Sequence, residues 1–137
     1  MKFVKKGKSY MQNRWLDFAK EDLHLAQLAF KDQIFNQVCF HSQQGVEKIL
    51  KGYLSYKLQP TPKTHSLIEL YRICKEISSD FPDIENDCLK LDSYYIPTRY
   101  PDALPGTGPD GLPDQSDAKE ALNILTINFT IIVDLIK

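Results

Sequence analysis

Apolar residues recur at three- and four-residue steps along most of this 137-residue chain, the spacing that lines one face of an α-helix. The pattern predicts a first helix near 12–31, with Trp15, Phe18, Ala19, Leu23, Ala26, Ala29 and Phe30 facing inward. A second helix is predicted near 34–59. It buries Phe35, Val38, Cys39, Val46, Ile49, Leu50, Tyr53 and Leu54 and carries a polar stripe of Gln43, Gln44, Glu47, Lys48 and Lys51. Pro60 and Pro62 are expected to end it. Thr64 or Ser66 can cap a third helix near 66–79. A fourth is predicted near 82–95, with Pro82 in its first turn. A last helix, capped by Ser116, is expected to run to the end of the chain with Asp117 and Glu120 near its start. The β-branched run TINFTIIV would tolerate a strand, but its helical periodicity and lack of turn residues favour helix. No strand pairs are evident. The expected fold is all-α: an up-and-down four-helix bundle with a short extra helix.

Three polar features interrupt the pattern. Asp22 falls at the edge of the first helix's apolar stripe. It either reaches water at that border or is a charge held by Arg or Lys at a site. Gly45 and Gly52 sit seven apart on one face of the second helix. Each costs about 0.8–1 kcal/mol relative to Ala, which is reasonable where another backbone or a ligand comes close. Glu47 and Lys51 form an i,i+4 pair in the favourable order. His65 stands at the mouth of the third helix, where it either helps bind an anion or packs and hydrogen-bonds locally.

The proline- and glycine-rich stretch YYIPTRYPDALPGTGPDGLPDQ, residues 94–115, has two halves. Its later part reads as a turn-rich crossing. In its front part Pro97 and Pro101 bracket Arg99 and Tyr100 and restrict the backbone around them.

Composition narrows the classes. At 42% hydrophobic and 26% charged residues, the chain is ordinary for a globular domain. A net charge of −1 gives no case for nonspecific nucleic-acid binding. The lysines of MKFVKKGK suggest a basic tail over 1–11, solvated or serving as a phosphate-binding arm, ahead of a helical domain over 12–137. Cys39, Cys74 and Cys88 lack metal spacing and read as reduced thiols of a cytoplasmic protein. No apolar run has the length to span a membrane, and no signal peptide is recognisable. The three histidines are too scattered to predict a zinc site, and no cofactor is expected.

The segments FAKEDLHLAQLAF, CFHSQQGVEKILKGYL, KTHSLIELY and YYIPTRYPDA, in that order, resemble a HEPN domain (higher eukaryotes and prokaryotes nucleotide-binding domain). The resemblance covers about residues 12–136. It implies a bundle of four main helices with a short extra one, usually a homodimer. Some members of the family are metal-independent RNases, often toxins, marked by R-x(4–6)-H. Following Arg14, Arg72 and Arg99, positions 19–21, 77–79 and 104–106 hold no histidine. No catalytic residue is therefore assigned. The resemblance is to the branch of non-catalytic binding modules, many of them encoded beside a small nucleotidyltransferase.

That resemblance implies a nucleotide or phosphate site drawn from Gln44, Lys48, Lys51, Arg99 and Tyr100, supported by Asp22, Glu47, His65 and Asp102. Arg99 can grip a phosphate bidentately, and tyrosines can stack on a base. The same residues suit a structural knot in which Arg99 pairs with Asp22 or Glu47. A toxin-type ribonuclease acting on RNA and a purely structural interaction protein are the alternatives.

Overall fold

The computed structural model describes residues 2–95 and 111–136, excluding the side chains of 2–10. The elements are α1 (Lys2–Lys31), α2 (Phe35–Tyr56), α3 (Leu67–Ile77), α4 (Glu85–Asp92) and α5 (Gln115–Ile136). There is no strand among the described residues. The fold is an all-α bundle in which α4 is the short helix. α1 starts at Lys2, so it is continuous with the segment read as a basic tail. Lys, Met and Gln favour helix, and the isolated Gly7 does not stop it.

Helix ends are set by local chemistry that periodicity alone places imperfectly. α1 and α2 both finish on a left-handed residue, Gln33 (φ 63°) and Leu58 (φ 60°). In each case a backbone N–H reaches back to a carbonyl of the last turn: Ile34 N to Ala29 O at 2.8 Å, and Gln59 N to Leu54 O at 2.9 Å. This is the Schellman type of termination, here without glycine. It stops α2 at Tyr56, before Pro60 and Pro62 can act. Ser66 is the cap of α3, its side chain accepting from Glu69 N. α4 begins at Glu85, after Pro82 rather than around it. At α5 the cap is Asp114, not Ser116. Asp117 N donates to Asp114 Oδ1 and Asp114 N donates to Asp117 Oδ2, both at 3.0 Å. This is a reciprocal capping box.

α2 is the centre of the molecule and packs against α1, α3, α4 and α5. Val38, Cys39, Val46, Ile49, Leu50 and Leu54 of α2 are all buried in the core, with Ala19, Ala26, Leu70, Leu91, Leu125 and Ile132 from the other helices. Phe18 departs from the predicted stripe. It is 39% exposed, and the Arg14 guanidinium lies 5.3 Å from its ring centroid. The thiols of Cys39, Cys74 and Cys88 are free and buried. Burial pushes Cys39 and Cys74 up to about 12 and raises Cys88 further, so they are inert packing groups.

The two helix glycines separate once their neighbours are known. A Cβ at Gly45 would lie 2.6 Å from Leu125 Cδ1 and 3.4 Å from Asp22 Cβ, whereas at Gly52 the nearest atom is Trp15 Cβ at 3.2 Å. Gly45 thus lets α5 and α1 close on α2 together. We expect Gly45→Ala to lower stability by about 1–2 kcal/mol, because overpacking outweighs the helix-propensity gain. Gly52→Ala should stay within about 1 kcal/mol of the parent, where propensity offsets the tighter contact. Urea unfolding of the two variants measures the contrast.

Candidate functional site

The polar stripe of α2 is largely buried, with Gln44 and Lys48 at its half-exposed edge. Gln43, Glu47 and Lys51 are 0%, 3% and 6% exposed, because the other four helices surround α2. Burying charge requires partners, and each buried carboxylate here has them.

Asp22 of α1 is 5% exposed, so it does not reach water at the stripe's border. Its Oδ2 accepts from Lys48 Nζ at 2.6 Å, and its Oδ1 lies 2.9 Å from His41 Nδ1. On the same stripe of α2, Glu47 Oε2 accepts from Lys51 Nζ at 3.0 Å, the predicted i,i+4 pair. Glu47 Oε1 lies 3.0 Å from His65 Nδ1 and 3.3 Å from Gln44 Nε2. The stripe therefore holds the same unit twice: a carboxylate clamped between a lysine and an imidazole. A carboxylate facing an ammonium only accepts, so each Nδ1 donates and Nε2 is the ring's remaining polar atom.

The chain path explains how His65 arrives there. After α2 the segment 57–66 runs back along it. Gln43 Nε2 then donates to the His65 carbonyl at 2.7 Å, more than two turns before α2 ends. Asp92, at the end of α4, holds the start of α3. It accepts from Leu67 N at 2.8 Å, Ile68 N at 3.1 Å and Ser66 Oγ at 3.4 Å, and from Gln43 Nε2 at 3.3 Å. The N–H groups that could have greeted an anion are thus taken by Asp92 and by Ser66. His65 makes local contacts to Glu47 and Gln43, and the N–H groups at the mouth of α3 are engaged within the protein.

Aromatic rings border the two imidazoles. His65 stacks on Tyr95 with centroids 4.8 Å apart and planes 16° apart. Phe40 lies 6.2 Å from Tyr95 and edge-on to His41 at 5.2 Å. Tyr94, by contrast, is buried in the core. At 2% exposed its ring is not open to a ligand, and that burial also pushes its hydroxyl up. Lys51 is enclosed, its side chain 8% exposed and its Nζ 5.6 Å from the Trp15 ring. The Lys48 side chain is 22% exposed and the His65 side chain 55%, so these polar groups meet solvent.

Of the sequence-predicted residues, the structure brings together Gln44, Glu47, Lys48, Lys51, Asp22 and His65. Arg99, Tyr100 and Asp102 lie outside the described residues. Asp22 and Glu47, offered as internal partners for Arg99, each have lysine and histidine partners within the bundle. Sequence reasoning missed His41 and Asp92. His41 is three residues before Gln44 and seven before Lys48, a helical spacing that places it on the same edge. No comparable local signal identifies Asp92, which acts across 25 residues of chain. Among the described residues no group of three or more His, Cys, Asp or Glu can hold a metal ion, and no helix is long and apolar enough to cross a membrane.

This helical architecture is that of a known family. The HEPN domain family model matches residues 12–130, and the chain belongs to that family. It is similar to the crystal structure of TT1696 from Thermus thermophilus, with 32% identity and a TM-score of 0.78 over 90% of this chain and 96% of that one. It is also similar to ST0689, an archaeal HEPN homologue, with 29% identity and a TM-score of 0.73 over 92% of this chain and 98% of that one. No curated protein matches.

The buried pair gives a test of its energetics. Glu47→Ala leaves Lys51 enclosed without its carboxylate and should cost about 3–5 kcal/mol. Glu47→Leu combined with Lys51→Met should recover most of that loss, because an apolar pair of similar volume replaces the ion pair. Denaturant unfolding of the single and double variants reads both.

Proposed function

We propose that this protein is a non-catalytic HEPN module that binds a nucleotide or other phosphate ligand on the α2 edge, as a homodimer working with a nucleotidyltransferase partner. The observation that carries the ligand reading is the exposed His65 ring, stacked on Tyr95 and tied through Nδ1 to Glu47. Such a fixed aromatic pair offers a platform for a base. Lys48, held by Asp22 but with its side chain 22% exposed, supplies the cation on this edge that a phosphate can reach, a role that the enclosed Lys51 does not suit. Arg99 and Tyr100 follow Tyr95 closely in sequence and are assigned to the same ligand. The absence of R-x(4–6)-H supports the non-catalytic reading. The homodimer and the nucleotidyltransferase partner rest on the resemblance to that branch of the family.

Isothermal titration against ATP, GTP and short RNAs tests this reading. Binding is expected for at least one of them. Tyr95→Ala should weaken it roughly five- to 150-fold, given stacking energies of about 1–3 kcal/mol per base. No heat with any ligand at near-millimolar concentration removes the ligand half of the proposal.

The twin carboxylate–imidazole units favour one second reading, a toxin-type ribonuclease. A carboxylate that orients an imidazole through Nδ1 leaves Nε2 available for proton transfer. Incubation with transfer and messenger RNA separates the readings. Cleavage by the parent that is lost in both His65→Ala and Arg99→Ala would raise the ribonuclease above the binding module.

A further inference from the structure

His65 and Tyr95 stack on each other, yet they come from segments far apart in the chain. His65 ends the α2–α3 connection, just ahead of the Ser66 cap of α3. Tyr95 follows α4, whose last residue is Asp92. Two contacts tie His65 to α2. Gln43 Nε2 donates to its carbonyl at 2.7 Å, and Glu47 Oε1 lies 3.0 Å from its Nδ1. Both place His65 against α2, and neither relates it to the turn that carries Tyr95.

Asp92 reaches both segments. Its backbone carbonyl accepts from Tyr95 N at 3.3 Å, in a turn whose Tyr94 is anchored in the core. Its carboxylate accepts from the donors that follow His65 and from Gln43, the residue that also holds the His65 carbonyl. The four bonds divide evenly. Oδ1 takes Leu67 N at 2.8 Å and Gln43 Nε2 at 3.3 Å, and Oδ2 takes Ile68 N at 3.1 Å and Ser66 Oγ at 3.4 Å. An ionised carboxylate has about four lone-pair sites, so this one is filled. Each oxygen faces two donors, and an amide in its place would turn a donor of its own toward two others. α3 has local caps besides. Ser66 Oγ accepts from Glu69 N at 3.3 Å, and Thr64 Oγ1 accepts from Ser66 N at 3.1 Å. The bonds from Asp92 therefore do more than start the helix: they fix where that start stands relative to the end of α4.

We propose that Asp92 is the positioning residue of the stacked pair. Its carboxylate fixes the segment that carries His65 against the turn that carries Tyr95, and so sets the 4.8 Å spacing and 16° tilt of the two rings. The consequence for a ligand rests on the nucleotide reading above, because a base needs a platform of fixed spacing and tilt. Asp92 acts through the two rings rather than on the ligand, since internal donors fill its carboxylate.

Proton NMR of the full chain reads the stack directly, because the Tyr95 ring current moves the imidazole C–H resonances of His65 upfield. At about pH 9, above the ordinary imidazole range, protonation does not obscure the shift. The chain has three histidines, and the signal lost in His65→Gln identifies the right one. Tyr95→Ala gives the unstacked position. Asp92→Asn is expected to move His65 most of the way there with helical circular dichroism retained. Asp92→Glu keeps the charge but extends it by one methylene; it should move His65 in the same sense and decides the matter if Asp92→Asn does not fold. Tyr71→Phe is the control. It removes the 3.0 Å bond to Asp83 at the other end of the α3–α4 pair and should leave His65 at its parent position. Calorimetry supplies the second readout. With whichever of ATP and GTP the parent binds, Asp92→Glu should weaken affinity at least about fivefold, while inorganic triphosphate, which has no base to stack, should behave as with the parent. Resonances unmoved in both Asp92 variants, or moved equally in Tyr71→Phe, overturn the proposal whether or not a nucleotide binds. Moved resonances in a protein that binds neither nucleotide uphold Asp92 as the residue that sets the stack and remove the nucleotide reading.

Discussion

A carboxylate buried among helices must be neutralised in place, and this molecule does so at Asp22 and Glu47. Both sit where α1, α2 and the α2–α3 segment meet, and both are nearly closed to water. Isolated, either charge would cost several kcal/mol. Each is held instead by one lysine and one histidine at 2.6–3.0 Å. Those bonds tie α1 to α2 and fasten the start of α3 against α2. The central helix can be surrounded on all sides because its polar stripe finds its partners inside the protein.

The same network sets what the site can offer. The lysines are committed to carboxylates, so the edge is balanced rather than strongly basic, in keeping with a chain of net charge −1. The proposed ligand would be recognised through stacking on Tyr95 and His65 as much as through charge. The histidines are orientated by their carboxylates and present one nitrogen each. That geometry serves both a hydrogen bond to a ligand and proton transfer, which is why the binding and ribonuclease readings meet on the same two rings.

Packing around α2 is equally constrained. Gly45 lets Leu125 and Asp22 approach where a methyl group would not fit, so the charged site and the α5 contact depend on the same missing side chain. α5 in turn buries one side against α2 and exposes Ile127, Ile131 and Leu135 on the other.

Much of this was legible in the residues. Helical periodicity identified the buried apolar residues of α2 and the helices themselves, because a 3.6-residue repeat is a local property. The Glu47–Lys51 pair and the Ser66 cap follow from fixed short spacings, and the ordered motifs pointed to the family. Other features lay beyond local reading. Whether Asp22 met water or a cation depended on α2 lying against it. Phe18 faced outward although its spacing allowed it inward. The cap of α5 moved from Ser116 to Asp114 because a reciprocal bond with Asp117 was available there. The N–H groups beside His65 are taken by Asp92, a residue 27 positions away by number. Local sequence determines which residues can share a helix face. Only the tertiary structure decides which of those faces meet, because the partners of a buried charge come from segments far apart in the chain.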